Sequence, residues 1–263
     1  MQVITSKDNE LIKEIKKLKE KKFRDQSQQF TVEGIKMVAE AIEEKANINT
    51  IVVCEDCVNN GSIDKKLLYE IAKYNCIYVT EKVFNVITDV TNPQGILAVI
   101  NQNHNNNEID YSADFIIILD GIQDPGNLGT ILRTADSANL KQLIVSKETA
   151  DCYNPKVVRS TMGGIFRVNV IRENSLIESI KNLKEKGFEI VVTSLETENS
   201  IYNISYNKKA VIIGNEANGV SKEILDIADV KVKIPMLGKT ESLNAGVAAG
   251  IMIYEYVREK IKE

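Results

Sequence analysis

The chain is poor in the residues from which many enzyme sites are built. Its single histidine, His104, lies in an asparagine-rich stretch, so neither a histidine-based triad nor a histidine metal cluster is expected. The four cysteines are Cys54, Cys57, Cys76 and Cys152. Cys54 and Cys57 have two-residue spacing, but no second pair and no nearby histidine completes a zinc site, so buried free thiols and no metal are expected. No run approaches the roughly 20 apolar residues of a membrane span. The start, Met1-Gln2-Val3-Ile4-Thr5-Ser6-Lys7, lacks an apolar signal core, so the expected location is cytoplasmic. An excess of one charge is also missing: the net charge of −4 does not announce nucleic-acid binding. A Gly-x-Gly-x-x-Gly dinucleotide fingerprint is absent. Gly238-Lys239-Thr240 reads like the end of a nucleotide-binding loop, but Lys233 stands where that loop needs its first glycine, which excludes a nucleoside triphosphate site.

What is present is a globular composition. The 263 residues, 43% hydrophobic and 27% charged, suffice for a sizeable core and one to two domains. Local charge is more telling than the total. From Lys13 to Arg24 seven basic residues face Glu14 and Glu20. Two readings of that run stand: a solvated helix face, or a patch in which Lys16, Lys17, Lys21, Lys22 and Arg24 neutralise RNA phosphates.

Periodicity gives an α/β chain. Leu11, Ile15 and Leu18 repeat at helical spacing. Strands are predicted at 29–32, 51–54, 76–79 and 95–100, with helices at 33–44, 65–73 and 83–87. This suggests a small α/β domain over residues 1–100. Residues 101–108 hold no apolar side chain, and 101–114 are expected as a linker. Residues 115–263 are expected as the second domain. There Phe115-Ile116-Ile117-Ile118-Leu119 reads as a central parallel strand. Further strands are predicted at 142–145, 168–171, 189–193, 210–213 and 230–234, with helices at 128–137, 176–186 and 222–227. In such sheets ligands bind outside the carboxyl ends of the strands.

Three loops at those ends carry the polar residues. In the first, Asp120 to Ala135, a turn at Asp124-Pro125-Gly126 precedes Asn127, expected to cap a helix. Arg133 lies nearly two turns further on and is expected on a side similar to that of Asn127. A helix N-terminus with an arginine nearby suits a phosphate-bearing substrate. In the second, Gly214-Asn215-Glu216-Ala217-Asn218-Gly219, glycines bracket Glu216 at the sheet edge. In the third, Ile234-Pro235-Met236 leads to Glu241-Ser242-Leu243-Asn244. Pro235 stops regular pairing, and Ser242 is expected to cap the following helix. Residues 245–253 have no polar side chain, so that helix is expected to be buried on all sides, in a core or against another subunit.

Together the three loops resemble the motifs of the SpoU (TrmH) family of RNA ribose methyltransferases, in the SPOUT superfamily. The resemblance is strong over residues 115–258. Residues 1–100 resemble that family's substrate-binding domain, of ribosomal-protein L30-like fold, through Phe30-Thr31-Val32-Glu33-Gly34 and Gln94-Gly95-Ile96-Leu97-Ala98. One departure is Ala245-Gly246, where many members have Val-Ser. The resemblance implies a SPOUT-type parallel sheet with a trefoil knot near the C-terminus, and a homodimer. It implies S-adenosylmethionine as cofactor, held by Thr193, Ser194, Leu195, Gly214, Asn215, Glu216, Gly219, Ile234, Pro235, Met236, Ser242, Leu243 and Asn244. It implies catalytic roles for Asn127, Arg133, Glu216, Ser242 and Asn244. The implied reaction is methyl transfer to a ribose 2′-hydroxyl of structured RNA, with ribosomal RNA ahead of transfer RNA. A catalytically silent RNA-binding relative and a base-methylating SPOUT enzyme are the alternatives.

Overall fold

In this computed structural model, which describes residues 3–102 and 108–262, strands and helices alternate along the chain. Residues 103–107, with His104 and most of the asparagine-rich stretch expected as a linker, lie outside the described residues. The first elements are β1 (Val3–Ile4), α1 (Glu10–Lys17), α2 (Lys21–Ser27), β2 (Gln29–Glu33), α3 (Ile35–Glu43), β3 (Ile48–Cys54), α4 (Glu55–Asn59), α5 (Lys65–Ile71), β4 (Cys76–Val79), α6 (Glu81–Ile87) and β5 (Ile96–Asn101). They are followed by β6 (Phe115–Asp120), α7 (Pro125–Ser137), β7 (Gln142–Ser146), α8 (Pro155–Ser160), β8 (Asn169–Glu173), α9 (Leu176–Glu185), β9 (Glu189–Thr193), β10 (Lys209–Gly214), α10 (Lys222–Ile227), β11 (Val230–Val232) and α11 (Ala245–Lys262).

Two compact units result. One is Met1–His104 with Tyr153–Phe166, the other Asn105–Cys152 with Arg167–Glu263. The first holds a mixed five-stranded sheet of order β1-β4-β3-β5-β2, in which β5 runs antiparallel to both its neighbours. Apolar residues alternate to both faces of its strands, and each face has its own core. Segment 153–166 joins this unit through side chains the sequence pattern did not flag. The Tyr153 and Phe30 rings lie 4.6 Å apart, and Val158 is buried in the same core as Val32 and Met37.

The basic run of this unit spans two helices, α1 and α2. Asn9 caps α1 by accepting from the Leu11 and Ile12 amides, and Ile12, Ile15 and Leu18 are buried. Lys16, Lys17, Lys21 and Lys22 are exposed. Arg24 corrects the expectation that the run is all surface: it is 2% exposed. Its guanidinium donates to the Leu18 carbonyl at 2.7 Å and the Lys19 carbonyl at 2.8 Å. Those carbonyls lie past the end of α1, where a helix leaves its acceptors unfilled, so Arg24 is spent on the turn and is not an RNA-binding side chain.

The second unit holds a six-stranded sheet of order β11-β9-β10-β6-β7-β8, parallel throughout. Its central strands β6 and β10 are almost wholly buried, as continuous apolar runs between two helical layers must be. Their register aligns Asp120 with Gly214, so the first two loops leave the sheet side by side. Thr193 aligns with Val232 of the neighbouring strand. From the edge strand β11 the chain returns across the sheet and lays α11 against α7, β10 and β6.

Helix α11 is not buried all round. Ala245, Gly246, Ala249, Met252 and Ile253 are buried, but Val247 and Tyr254 are each 49% exposed. Small residues let it approach α7 closely: a Cβ on Gly246 would lie 3.4 Å from Thr130 Cγ2, and Ser137 Oγ meets Tyr254 Oη at 3.2 Å.

Candidate active site

The end of β6 turns at Gly121, whose φ of 76° favours glycine. The helix that follows begins three residues earlier than predicted. Asp124, not Asn127, is its cap: Asp124 Oδ1 accepts from the Asn127 amide at 2.9 Å, with Pro125 in the first turn. Asp followed by Pro is a helix-start signal in its own right, and it was legible. Asn127 is therefore inside the helix and 8% exposed.

Both polar ends of that side chain are engaged. Asn127 Nδ2 donates to Glu216 Oε1 at 2.8 Å, and Asn127 Oδ1 accepts from Asn244 Nδ2 at 2.8 Å. Asn244 Oδ1 in turn accepts from the Gly246 and Val247 amides at 2.9 and 3.2 Å, which makes Asn244 the cap of α11. Ser242, expected in that role, is exposed two residues before it. One line of hydrogen bonds thus runs from the second loop through α7 to the third loop. It fixes the Asn127 amide orientation, because a flipped amide would set donor against donor and oxygen against carboxylate.

Glu216 is the charged end of this line. Its Oε2 accepts from the Gln123 amide at 3.2 Å and its Oε1 from the Asp124 amide at 3.3 Å. Burial works to raise its carboxyl, but hydrogen bonds from Asn127 and from its own, Gln123 and Asp124 backbone amides outweigh that and hold it below its usual value. The Gln123, Asp124 and Asn127 amides around the start of α7 are therefore already taken by two protein carboxylates.

The loop carrying Glu216 is closed on itself. Asn215 and Gly219 exchange backbone hydrogen bonds at 2.9 Å, and Asn215 Oδ1 accepts from the Ala217 and Asn218 amides. Asn215 Nδ2 donates to the Gly121 carbonyl at 2.7 Å, tying this loop to the first. A Cβ on Gly214 would lie 2.1 Å from the Gly219 carbonyl carbon and 2.2 Å from the Val220 nitrogen. Only glycine permits that fold-back.

Arg133 and Asn127 do not share a side. Six residues at 3.6 per turn leave them about 120° apart. Asn127 faces inward, while Arg133 is exposed and makes no hydrogen bond or ion pair among the described residues. It lies three residues beyond Thr130, which touches the start of α11. Arg167, by contrast, is held by Asp136, with Nε at 2.9 Å from Oδ1 and Nη2 at 2.9 Å from Oδ2.

The remaining expected residues gather at the same sheet edge. Thr193 Oγ1 donates to the Ile212 carbonyl, and the Ser194 amide to the Val232 carbonyl. Strand β11 ends at Val232, and Ile234 to Leu243 forms neither helix nor strand. Ile234, Pro235, Met236 and Leu243 are half-buried, whereas Leu195 is 65% and Leu237 100% exposed. Apolar side chains facing out from loops otherwise polar suit a ligand with both a flat apolar part and polar edges. Sequence reasoning missed the support behind these loops. Ser146 Oγ accepts from the Gly121 amide at 3.0 Å, and Asp120 Oδ2 from the Ser221 amide at 2.8 Å. Arg172 donates to the carbonyls of Ser146, Lys147, Thr149 and Ala150. No run or spacing marks an arginine that serves carbonyls more than twenty residues away.

Among the described residues no helix is long and apolar enough to cross a membrane, and no group of three or more metal-ligating side chains occurs. The comparisons with known proteins agree with this geometry. Residues 114–254 match the SpoU rRNA Methylase family, and residues 9–98 the MRM3-like substrate binding domain. The chain is 33% identical over 97% of its length to the 23S rRNA (guanosine(2553)-2′-O)-methyltransferase RlmP of Bacillus subtilis, covering 98% of that protein. It is similar to the crystal structure of the AdoMet-bound rRNA methyltransferase from Sinorhizobium meliloti, with a TM-score of 0.86, 32% identity, and 98% and 97% of the two chains covered. The AdoMet complex of the SpoU methyltransferase AviRb from Streptomyces viridochromogenes aligns with a TM-score of 0.83 at 26% identity, over 96% and 98% of the chains. A site assembled from three loops at one sheet edge, on a chain matched over nearly its whole length, leads to one assignment: the chain belongs to the SpoU rRNA methylase family.

Proposed function

We propose that this protein methylates a ribose 2′-hydroxyl of structured RNA, ribosomal RNA ahead of transfer RNA, with S-adenosylmethionine as donor. The observation that carries this reading is the hydrogen-bonded line Glu216–Asn127–Asn244, which joins all three motif loops in a SpoU-family chain. Bound S-adenosylmethionine supplies an activated methyl group on a sulfonium. The loops at Thr193, Ser194 and Leu195, at Gly214, Asn215, Glu216 and Gly219, and at Ile234, Pro235, Met236, Ser242, Leu243 and Asn244 would hold it. The Gly214 fold-back and the outward Leu195 and Leu237 fit that group. In the finer topology we propose, the segment leading from β11 to α11 threads a trefoil knot.

Arg133 is the residue that meets substrate. A guanidinium stays protonated in water, so it cannot serve as a free base. Its exposed cation instead clamps a phosphate next to the ribose and stabilises the alkoxide as the hydroxyl loses its proton. Asn127, Glu216 and Asn244 are positioning residues, since their polar atoms are committed to one another. Ser242 is exposed beside them and free to meet a ligand. Lys16, Lys17, Lys21 and Lys22 grip RNA phosphates from the MRM3-like unit.

The exposed stripe Val247 and Tyr254 on α11 supports a homodimer. A monomer mass by light scattering at micromolar concentration would contradict it. The reading places the protein in the cytoplasm, where its RNA is. The deciding experiment incubates the protein with methyl-labelled S-adenosylmethionine and ribosomal RNA, then digests the RNA to nucleosides. Label in 2′-O-methylnucleosides supports the reading. Label on a base, or cofactor binding without transfer, replaces it with one of the two alternatives.

A further inference from the structure

The Cys54/Cys57 pair has no part in the reaction just described. Cys54 is the last residue of β3 and the cap residue of α4, and Cys57 is the third residue of that helix. Side chains at these two positions of a helix start meet, which is the geometry of a capping box. Here the cap residue makes no side-chain hydrogen bond to the helix amides; its thiol donates to Asp56 Oδ2 at 3.9 Å. The two side chains instead converge beneath Gly95. A Cβ on Gly95 would lie 2.3 Å from Cys57 Sγ, 2.6 Å from Cys57 Cβ and 3.0 Å from Cys54 Cβ. Both cysteine β-carbons therefore fall within 3.0 Å of one point, which bounds their separation to a range that includes the roughly 3.5–4.5 Å a disulfide spans. Gly95, at φ 74°, leaves room for the sulfur that no other residue would.

We propose that Cys54 and Cys57 are a dithiol modification site, closed to an intramolecular disulfide by a low-molecular-weight disulfide. Cys54 is 1% exposed, whereas Cys57 is partly open to solvent, which sets the order of events. The Cys57 thiolate attacks one sulfur of the small disulfide and expels the other half as a thiolate, leaving a mixed disulfide on Cys57. The Cys54 thiolate then attacks the Cys57 sulfur and expels the second half. Two electrons pass from the protein to the small disulfide, whose two halves leave as thiols carrying the two protons. Burial, and after it the adjoining Cys54 thiol, push the Cys57 thiol up to about 11. That disfavours the thiolate and makes exchange slow, but it also leaves the reduced pair without the stabilisation that makes a dithiol strongly oxidising.

The test uses the full-length protein and excess glutathione disulfide at mildly alkaline pH. Samples are quenched in acid, alkylated and mapped by peptide mass. The expected result is a peptide spanning 54–57 that has lost two hydrogens, holds no glutathione and is restored by dithiothreitol. Variant C54S should retain one glutathione on Cys57, because the resolving thiol is gone. Variant C57S should leave the buried Cys54 unmodified over the same time. Glutathione persisting on Cys57 of the unaltered protein, a cross-link from Cys57 to Cys76, or four thiols that all remain alkylatable would each overturn the proposal.

Discussion

The polar residues of the active-site loops and those of the basic helices are used in opposite ways. At the loops, Glu216, Asn127 and Asn244 spend their hydrogen-bonding groups on each other and on helix ends. On α1 and α2, Lys16, Lys17, Lys21 and Lys22 are exposed, Lys21 in a surface ion pair with Asp25, while Arg24 is turned inward. The first arrangement holds a shape and tolerates little change. The second presents charge without a fixed shape, as a surface that meets phosphates needs to do. A residue's type does not say which use it serves: Arg24 and Arg133 differ only in where their backbones place them.

That contrast can be broken most sharply at Arg133. R133A should reduce methyl transfer to RNA at least about a hundredfold while calorimetric cofactor affinity stays near the parent value. Unchanged single-turnover rates would remove Arg133 from the mechanism. Next in size is N127A, which strands a donor on Asn244 and removes one from Glu216. A loss of about 1–3 kcal/mol in denaturant unfolding is expected, together with weaker cofactor binding. A variant as stable as the parent would mean that the line of hydrogen bonds does not hold the loops.

Replacing Lys16, Lys17, Lys21 and Lys22 together by Ala should leave stability within about 0.5 kcal/mol. It should lower the log–log salt slope of RNA binding by about 0.7–0.9 for each phosphate no longer neutralised. R24A should do the reverse, destabilising the turn after α1 with little change in salt slope. A parental salt slope in the quadruple variant would make the run a solvated face.

The smallest effect concerns pH. The folded Glu216 carboxyl lies below its usual value, so its contribution to stability is present above the ordinary carboxylate range and is lost as pH falls through the lowered folded value. E216Q should therefore unfold at a lower temperature than the parent at neutral pH, and the gap should close in acid. A gap independent of pH would mean that the charge is not what Glu216 contributes.

Much of this was legible in the residues. The apolar run at 115–119, the strand at 189–193 and the helix at 222–227 followed from periodicity and end signals. The three loops were found from strand ends and glycines. What was not legible depended on distant partners. Segment 153–166 joins the first unit because Tyr153 and Val158 find Phe30 and its neighbours, more than a hundred residues earlier. Arg24 looked like its neighbouring lysines until the carbonyls of Leu18 and Lys19 appeared beside it. The caps of α7 and α11 were displaced because Asp124 and Asn244 competed with equally good candidates nearby. For Arg133 the sequence suffices, since a count of turns already separates it from Asn127.

The bond from Asn244 to Asn127 also bears on how the molecule is made. It joins residues 117 positions apart, and the later one immediately precedes the final helix. During synthesis the first unit's early strands and the sheet's central strands emerge well before Asn244 does, at about 5–20 residues per second. Asn127 leaves its amide oxygen to water until Asn244 has been released. The site is thus completed last: a chain cut short before Asn244 would still join Glu216 to Asn127 but would lack the bond that ties both to the third loop.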